Sequence, residues 1–97
     1  MTTYIVLINW TDQGIRNVKE SPKRLDVARK ALGDMGGSFK QFFLTMGEYD
    51  MVAICEAPDD TVIARFTLTL GMSGSVRTRT LKAFSEVAYR EIIAAIA

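Results

Sequence analysis

The sequence predicts a single α+β domain, residues 1–97, in which helices cover one face of a four-stranded sheet. Two observations support this prediction. Segments with strand character and segments with helical periodicity follow one another in the order β-α-β-β-α-β, and a further helical segment ends the chain. The composition, with 48% hydrophobic and 24% charged residues, is typical of a folded globular domain.

Four segments have strand character. Residues 3–9 form an apolar, β-branched run without helical periodicity. Residues 38–46 and 51–57 are separated by Gly47-Glu48-Tyr49-Asp50, whose residue types favour a turn, so these two segments predict a hairpin. Residues 75–84 form the fourth predicted strand.

Three segments have the spacing of amphipathic helices. The first begins at Ser21-Pro22, a capping hydroxyl followed by proline, and ends at Gly36-Gly37. The second begins at Asp59 or Asp60 and is closed by Gly71 and Gly74, and the third begins at Ser85. Their apolar stripes are Leu25, Ala28, Leu32 and Met35; Val62, Ile63, Phe66 and Leu70; and Tyr89, Ile92, Ile93 and Ile96. Thr11 or Asp12 also predicts a short helical turn before Val18.

This order of elements is the split βαβ plan of the ferredoxin-like fold, with a C-terminal helix added. Two helices cover one face of such a sheet, and a second face that met water would carry polar residues. Strand one is apolar on both faces, since Tyr4 and Val6 alternate with Ile5 and Leu7. We therefore predict that a second copy of the chain covers the open face and forms a dimeric α/β barrel, while the C-terminal helix covers part of it at most.

The composition excludes several classes of function. The chain has no histidine, which removes the usual general base near neutral pH, the usual haem ligand and the commonest zinc ligand. Its formal net charge of +1 provides no general attraction for nucleic acid or anionic lipid. We therefore expect no metal, no cofactor, no nucleic acid and no membrane among its partners.

Two features point to the cytoplasm. The N-terminal apolar run breaks at Asn9, too early for a signal peptide core or a membrane span. The single cysteine, Cys55, rules out an internal disulfide, and its place in an apolar strand predicts a buried thiol that packs as a small hydrophobic side chain.

Five short motifs distributed along the chain resemble the GYD domain family of small bacterial proteins. They are Asn9-Trp10-Thr11-Asp12-Gln13-Gly14, Ser21-Pro22-Lys23-Arg24, Thr45-Met46-Gly47-Glu48-Tyr49-Asp50, Ala57-Pro58-Asp59-Asp60 and Val76-Arg77-Thr78-Arg79-Thr80-Leu81. The resemblance implies the dimeric α/β-barrel fold and a homodimer or higher homo-oligomer. It implies no activity, because a fold shared with cofactor-free monooxygenases and ligand-sensing domains does not fix a function.

Trp10, Tyr49 and Asp50 are candidate ligand-binding residues. Trp10 ends strand one, and Asp50 shares strand parity with two apolar residues of strand three, Val52 and Ile54. A carboxylate on an apolar face needs a partner, so Asp50 either binds backbone amides in the turn or faces a cavity between two sheets. Trp10 and Tyr49 would then surround the mouth of that cavity, or they pack as hydrophobic covers.

Strand four supplies three further candidates. Thr78 and Thr80 share one face and Arg77 lies on the other, so all three can contact one ligand only at a bulge or a subunit boundary. The threonines line a cavity or serve as good strand formers. Arg77 holds an anionic ligand, or it pairs with an acid such as Asp50 or with one across the dimer.

Three hypotheses for function follow. The first is a homo-oligomeric module that binds a small, partly apolar molecule between sheets. The second is a cofactor-free enzyme, monooxygenase-like or isomerase-like, with Asp50 as base, Tyr49 as proton donor and Arg77 stabilising an enolate. The third is a structural or interaction domain whose product is the oligomer itself. The sequence leans away from catalysis, because it contains no recognisable catalytic constellation.

Overall fold

The computed structural model describes residues 1–97 and contains four strands and four α-helices. The strands are β1 (Thr2–Trp10), β2 (Ser38–Leu44), β3 (Met51–Ala57) and β4 (Val76–Ala83). The helices are α1 (Asp12–Arg16), α2 (Ser21–Asp34), α3 (Asp60–Met72) and α4 (Glu86–Ala94), and a 3-10 turn, Val18–Glu20, joins α1 to α2.

The predicted α+β, ferredoxin-like order of elements is confirmed. The strands form one sheet in the order β2-β3-β1-β4, and every neighbouring pair is antiparallel. The two longest strands, β1 and β4, pair from Thr3 with Ala83 to Trp10 with Val76 without a bulge. A bulge interrupts β2 between Phe39 and Gln41. The edges of the sheet are therefore β2 and β4.

Most predicted element ends agree with the structure to within one or two residues, and the differences have local causes. Strand β2 stops at Leu44 and not at residue 46, because the Thr45 amide donates to the Asp50 carbonyl and closes the hairpin there. Helix α3 continues through Gly71 to Met72 and ends before Gly74, whose φ of 83° only glycine adopts readily.

One face of the sheet, which we call the covered face, carries the core. Tyr4, Val6 and Ile8 of β1 are between 1% and 6% exposed and pack with Leu32 of α2 and Phe66 of α3. The alternate residues of β3 complete this layer: Met51, Ala53, Cys55 and Ala57. The rings of Phe39 and Phe66 pack edge to face with their centroids 6.0 Å apart. The Arg29 guanidinium lies over the Phe39 ring, 5.5 Å from its centroid.

The opposite face, which we call the open face, has no cover within the chain. Its central side chains are only half-buried: Ile5, Leu7, Val52 and Ile54. Phe43 of β2 and Leu81 of β4 lie on the same face by register and are 50% and 51% exposed. The two faces are therefore similarly apolar in sequence but differ in burial.

Helix α4 does not cover the open face. None of its residues is buried, and it contributes nothing to the core. The radius of gyration of the chain is 14.6 Å, larger than the roughly 12.5 Å expected for a compact domain of this length. The expectation that α4 covers part of the open face is therefore not met. None of the four helices has the length and apolar character that crossing a bilayer requires.

Candidate functional site

The end of β1 joins several of the sequence motifs into one hydrogen-bonded cluster. The Thr11 hydroxyl caps α1 by accepting from the Gly14 amide, and it donates to the Gly74 carbonyl. The Thr11 amide donates to the Ser75 carbonyl at 3.0 Å. These bonds fasten the start of α1 to the segment that leads into β4.

Gly14 permits this attachment because nothing larger fits. A Cβ atom at this position would lie 1.9 Å from the Ser75 carbonyl oxygen. The Arg24 guanidinium then ties α2 to the same place, donating to the carbonyls of Gly14 and Asn17 at 3.4 and 3.2 Å. The basic residue of the second motif thus has a structural partner.

The Asp50 carboxylate serves the same cluster. Its Oδ2 accepts from the Trp10 amide at 3.0 Å, while the Asp50 amide donates to the Ile8 carbonyl and to the Asn9 side chain. Because β3 begins only at Met51, strand parity does not place Asp50 on the open face. The carboxylate thus accepts a hydrogen bond from a backbone amide, and this geometry favours the structural interpretation of Asp50 over that of a catalytic base.

Trp10 and Tyr49 flank Asp50, and each makes contacts of its own. The Trp10 indole donates to the Ser21 hydroxyl at 3.3 Å and packs against the edge of the core. Tyr49 is half-buried, and its carbonyl accepts from the Thr45 hydroxyl within the hairpin turn. Neither residue lines either of the two clefts described below.

The three candidates of β4 share a groove at the edge of the sheet. Arg77, Thr78 and Thr80 line a shallow groove of about 490 Å³, whose opposite wall is α3. They reach it without a bulge because β4 is an edge strand. Arg77 forms no ion pair within the chain, so the alternative pairing with Asp50 does not occur.

A second and more apolar cleft opens on the covered face between α2 and α3. It has a volume of about 330 Å³. Its walls are mostly apolar and include Leu25, Ala28, Phe42, Met51, Leu70 and Val76. Ser21, Arg24 and Ser75 line it as well, next to the cluster at the end of β1. Sequence reasoning missed this cleft, although the small side chain of Ala28 on the apolar stripe of α2 was a signal of it.

At the other end of the sheet, the Ala57-Pro58-Asp59-Asp60 motif anchors α3. Asp59 caps the helix by accepting from the Val62 amide at 3.0 Å. The buried Tyr4 hydroxyl donates to Asp60 at 2.5 Å, and Lys82 pairs with the other Asp60 oxygen at 3.2 Å. These two bonds lower the pKa of Asp60, whereas burial and the bond to Asp60 raise the pKa of Tyr4.

The cysteine behaves as its sequence context predicts. Cys55 is 0% exposed in the middle of β3, and burial raises the pKa of its thiol to about 11. A thiol with that pKa is a poor nucleophile at neutral pH. Nowhere in the chain do three Cys, Asp or Glu side chains come together as a metal ion would require.

Comparison with known proteins agrees with the motifs. The profile of the GYD domain matches residues 4–93. The chain belongs to the GYD domain family. Nearly the whole fold lies inside the match, from the first buried residue of β1 to the last turn of α4.

One relative carries a functional name. The glutamine synthetase and cystathionine beta-lyase binding protein of Thermus thermophilus is 37% identical over 84 residues, which cover 86% of this chain and 88% of that protein. The name of that relative thus states two enzymes that it binds.

Two solved structures have the same fold. A crystal structure of a Thermus thermophilus protein has a TM-score of 0.55 at 24% identity, covering 88% of this chain and 95% of that one. The crystal structure of a hypothetical protein from Pyrococcus horikoshii has a TM-score of 0.54 at 22% identity, covering 89% of this chain and 93% of that one. At these identities the likeness concerns the fold alone.

Proposed function

We propose that this GYD domain is a binding module that works as a homo-oligomer and recognises other proteins. The observation that carries the proposal is the open face, where the four half-buried side chains of Ile5, Leu7, Val52 and Ile54 form an apolar surface without a cover. Large exposed apolar patches on small domains mark interaction sites.

The energetics favour a second copy as the cover of the open face. Six apolar side chains lie on it, each about half exposed or less: Ile5, Leu7, Phe43, Val52, Ile54 and Leu81. Completing their burial contributes about 1 kcal/mol for each side chain. Two such sheets packed face to face bury both surfaces at once, and a twofold axis lets one patch serve both copies.

The named relative supports protein recognition as the purpose of the assembly. It shares 37% of its residues with this chain over most of both lengths, and its name states that it binds two enzymes. We propose that this chain likewise binds an enzyme, with glutamine synthetase and cystathionine beta-lyase as the first to test. The proposal places the domain in the cytoplasm, in keeping with a single buried cysteine, Cys55.

A pair of adjacent substitutions tests self-association through the open face. Leu81 lies on the open face and Thr80 on the covered face of the same edge strand, and both are exposed. We expect Leu81→Lys to raise the dimer dissociation constant at least about tenfold, and Thr80→Lys to leave it unchanged. Sedimentation equilibrium at about 1 to 100 micromolar protein measures the dissociation constants of both variants, since this range brackets a dissociation constant of ~10 micromolar. A wild-type chain that stays monomeric throughout would refute the oligomer.

Binding to another protein is a separate measurement. The two candidate partners are glutamine synthetase and cystathionine beta-lyase, purified from the organism that encodes this chain. Each enzyme is immobilised on a biosensor and exposed to the wild-type chain and to Leu81→Lys. Saturable binding of the wild type to either enzyme supports the proposal. The absence of saturable binding to both removes these two enzymes as partners and leaves self-association to stand on the sedimentation result.

A second candidate, binding of a small molecule, is favoured by the cleft between α2 and α3. Its volume of about 330 Å³ lies within the roughly 300–1,000 Å³ of ordinary ligand pockets. Its apolar walls, with Arg24 and the three serines Ser21, Ser73 and Ser75, fit a largely apolar molecule with one anionic or hydrogen-bond-accepting group. This cleft lies on the covered face, and therefore not in the cavity between sheets that the sequence suggested.

The dye anilinonaphthalene sulfonate, an apolar molecule with one anionic group, is a suitable probe for this cleft. We expect Ala28→Phe, which fills the cleft, to remove one binding site from the stoichiometry measured by fluorescence titration. Ala64→Phe places the same ring on the exposed side of α3 and should remove none. Equal stoichiometry in wild type and Ala28→Phe would show that the cleft does not take up the probe.

A further inference from the structure

The cleft between α2 and α3 contains one hydroxyl group that has no partner in the chain. Four hydroxyl side chains line this cleft: Ser21, Thr69, Ser73 and Ser75. The Ser21 hydroxyl accepts from the Trp10 indole. Those of Thr69 and Ser73 donate to carbonyls of α3. The Ser75 hydroxyl takes part in no hydrogen bond within the chain.

The burial of Ser75 makes the missing bond significant. The residue is 5% exposed, and buried hydroxyl groups in proteins are normally paired. Every buried side-chain nitrogen or oxygen that solvent cannot reach has a partner in this chain. The Ser75 oxygen, which has none, is therefore still reached from the cleft that it lines. It is placed to bind a polar group of a molecule inside the cleft.

The backbone around Ser75 holds this hydroxyl in position. The Ser75 carbonyl accepts from the Thr11 amide at 3.0 Å. Gly14 lies so close to the same carbonyl that a Cβ atom on it would be 1.9 Å from the oxygen. The preceding carbonyl, that of Gly74, accepts from the Thr11 hydroxyl. The segment is thus fastened before any ligand arrives, and this preorganisation lowers the cost of binding.

A positive charge lies beside this hydroxyl. Arg24 lines the cleft and donates to the carbonyl of Gly14, the residue that contacts Ser75, and it forms no ion pair. The other charged residues of the cleft, Glu20 and Lys23, pair with each other at 3.8 Å. The net charge at this end of the cleft is therefore that of one guanidinium.

The start of α2 adds to the positive potential. The helices α1, α3 and α4 each begin with a side-chain cap and an acidic residue in the first turn, whereas α2 has neither. Glu20 precedes α2 but makes no cap, and its carboxylate pairs with Lys23. The positive end of the α2 dipole is thus open to an anion in the cleft.

The remaining walls of the cleft are apolar and set the size of the ligand. Leu25 and Ala28 of α2 face Leu70 of α3, and Met51 and Val76 of the sheet line the cleft as well. The volume of about 330 Å³ holds roughly eleven non-hydrogen atoms at the ~30 Å³ that a molecule of liquid water occupies. This is close to the size of octanoate.

We propose that the cleft between α2 and α3 binds a small monocarboxylic acid. The carboxylate accepts hydrogen bonds from the Ser75 hydroxyl and the Arg24 guanidinium, and the apolar body of the acid lies between the two helices. One positive charge and two donors match the single charge and two oxygens of a carboxylate, whereas a phosphate group carries nearly two charges. This inference rests on the second candidate function and names its ligand class and its anchor; it does not depend on self-association.

Two serine variants test the anchor, with octanoate as the probe and isothermal titration calorimetry as the measurement. Ser75→Ala should raise the dissociation constant of octanoate at least about tenfold, because it removes a hydrogen bond to a charged group. Ser73→Ala is the matched control, since Ser73 lines the same cleft but its hydroxyl already donates to the Leu70 carbonyl. It should leave the dissociation constant unchanged.

The melting temperature separates the anchor from a structural role. Ser75→Ala removes no hydrogen bond within the chain, so the variant should melt at the temperature of the wild type. Wild-type affinity of Ser75→Ala for octanoate would overturn the proposal. A large loss of stability would overturn it too, because it would show that the hydroxyl has its partner inside the protein.

The charge of the ligand is tested with octanamide, which has the same chain and a neutral head group. The wild type should bind octanoate at least about tenfold more tightly than octanamide, and Arg24→Gln should abolish this preference. A ratio of two affinities measured on one variant is not imitated by a general loss of stability. Equal affinities of the wild type for the two compounds would refute the assignment to a carboxylate.

The cleft-filling variant Ala28→Phe distinguishes a failure of this inference from a failure of the function on which it rests. Octanoate binding should disappear in Ala28→Phe, and its survival would place the acid outside the cleft. If Ala28→Phe removes a dye site while the wild type does not bind octanoate at ~10 millimolar, the cleft takes up apolar molecules without selecting carboxylates. If neither dye nor octanoate binds in the cleft, the small-molecule function is wrong as well.

Discussion

The two faces of the sheet are built from the same strands and are similarly apolar, yet they have different fates. On β1, Val6 is 1% exposed under two helices, while its neighbours Ile5 and Leu7 are half-buried without a cover. The covered face is completed by residues that follow in the same chain, whereas the open face and α4 lack such residues. Apolar character alone therefore does not distinguish a folding core from an interaction surface, and topology makes the distinction.

The largest expected difference between the faces comes from removing a phenyl ring. Phe66, 1% exposed, lies in the core, and Phe43, 50% exposed, lies on the open face. Phe66→Ala should lower the free energy of unfolding by about 3–5 kcal/mol, because it leaves a cavity. Phe43→Ala should cost the isolated fold less than about 1 kcal/mol and should weaken self-association instead.

Urea denaturation at several protein concentrations separates these effects, since dissociation makes apparent stability depend on concentration. For Phe66→Ala the loss should be the same at every concentration. If Phe43→Ala proved as damaging as Phe66→Ala in the monomer, the distinction between the two faces would be wrong.

The close approach at Gly14 gives the next largest effect. A Cβ atom there would meet the Ser75 carbonyl oxygen at 1.9 Å, so Gly14→Ala forces α1 and the start of β4 apart. We expect a loss of about 3 kcal/mol in thermal or urea unfolding.

Gly33 is the matched control, because it lies within α2 and a methyl group added to it would meet no atom within 4 Å. Gly33→Ala should raise stability by about 0.5–1 kcal/mol. Equal behaviour of the two alanine variants would mean that Gly14 does not clamp α1 to β4.

A smaller effect is expected at Asp50. Asp50→Ala removes the acceptor of the Trp10 amide and should lower the free energy of unfolding by about 1–2 kcal/mol. Asp50→Asn keeps an acceptor oxygen at that place and should restore most of the loss in the same unfolding measurement. If both variants were as stable as wild type, the bond to Trp10 would not contribute, and the structural interpretation of Asp50 would lose its support.

These residues show how far sequence reasoning extends. Local signals were sufficient for the strand order, for the cap of α4 at Ser85 and for the apolar open face, because each depends on neighbours in sequence or on simple alternation. The partners of Asp50 and Arg24 depend on where the chain returns after 40 or 10 residues, so residue type and parity could not supply them. The cleft between α2 and α3 likewise depends on the distance between two helices.

The smallest effect tests how the covered face is fastened at its far end. Tyr4→Phe removes the bond from the buried hydroxyl to Asp60 and should lower the free energy of unfolding by about 1 kcal/mol at pH 7. For a domain of this size that corresponds to a decrease in melting temperature of about 4–8 °C. Tyr89→Phe changes the same group on the exposed α4, where it is 56% exposed, and should shift the melting temperature by much less.

The pH dependence of this bond gives a sharper test than the stability at pH 7. The pKa of Asp60 is lowered in the folded chain, so its contribution is present above the ordinary aspartate pKa of about 3.9 and is lost as the pH falls through the folded value. The pKa of Tyr4 is raised, so above about pH 10 the unfolded chain loses this proton first and stability falls. Burial raises the pKa of Cys55 to about 11, so this thiol also lowers stability at high pH. It does so equally in wild type and in Tyr4→Phe, and it therefore cancels in the difference between them. The difference in melting temperature between wild type and Tyr4→Phe should therefore be largest near neutral pH and shrink toward pH 3 and above pH 10. A difference that stayed constant across this range would show that Tyr4 acts through packing alone and not through Asp60.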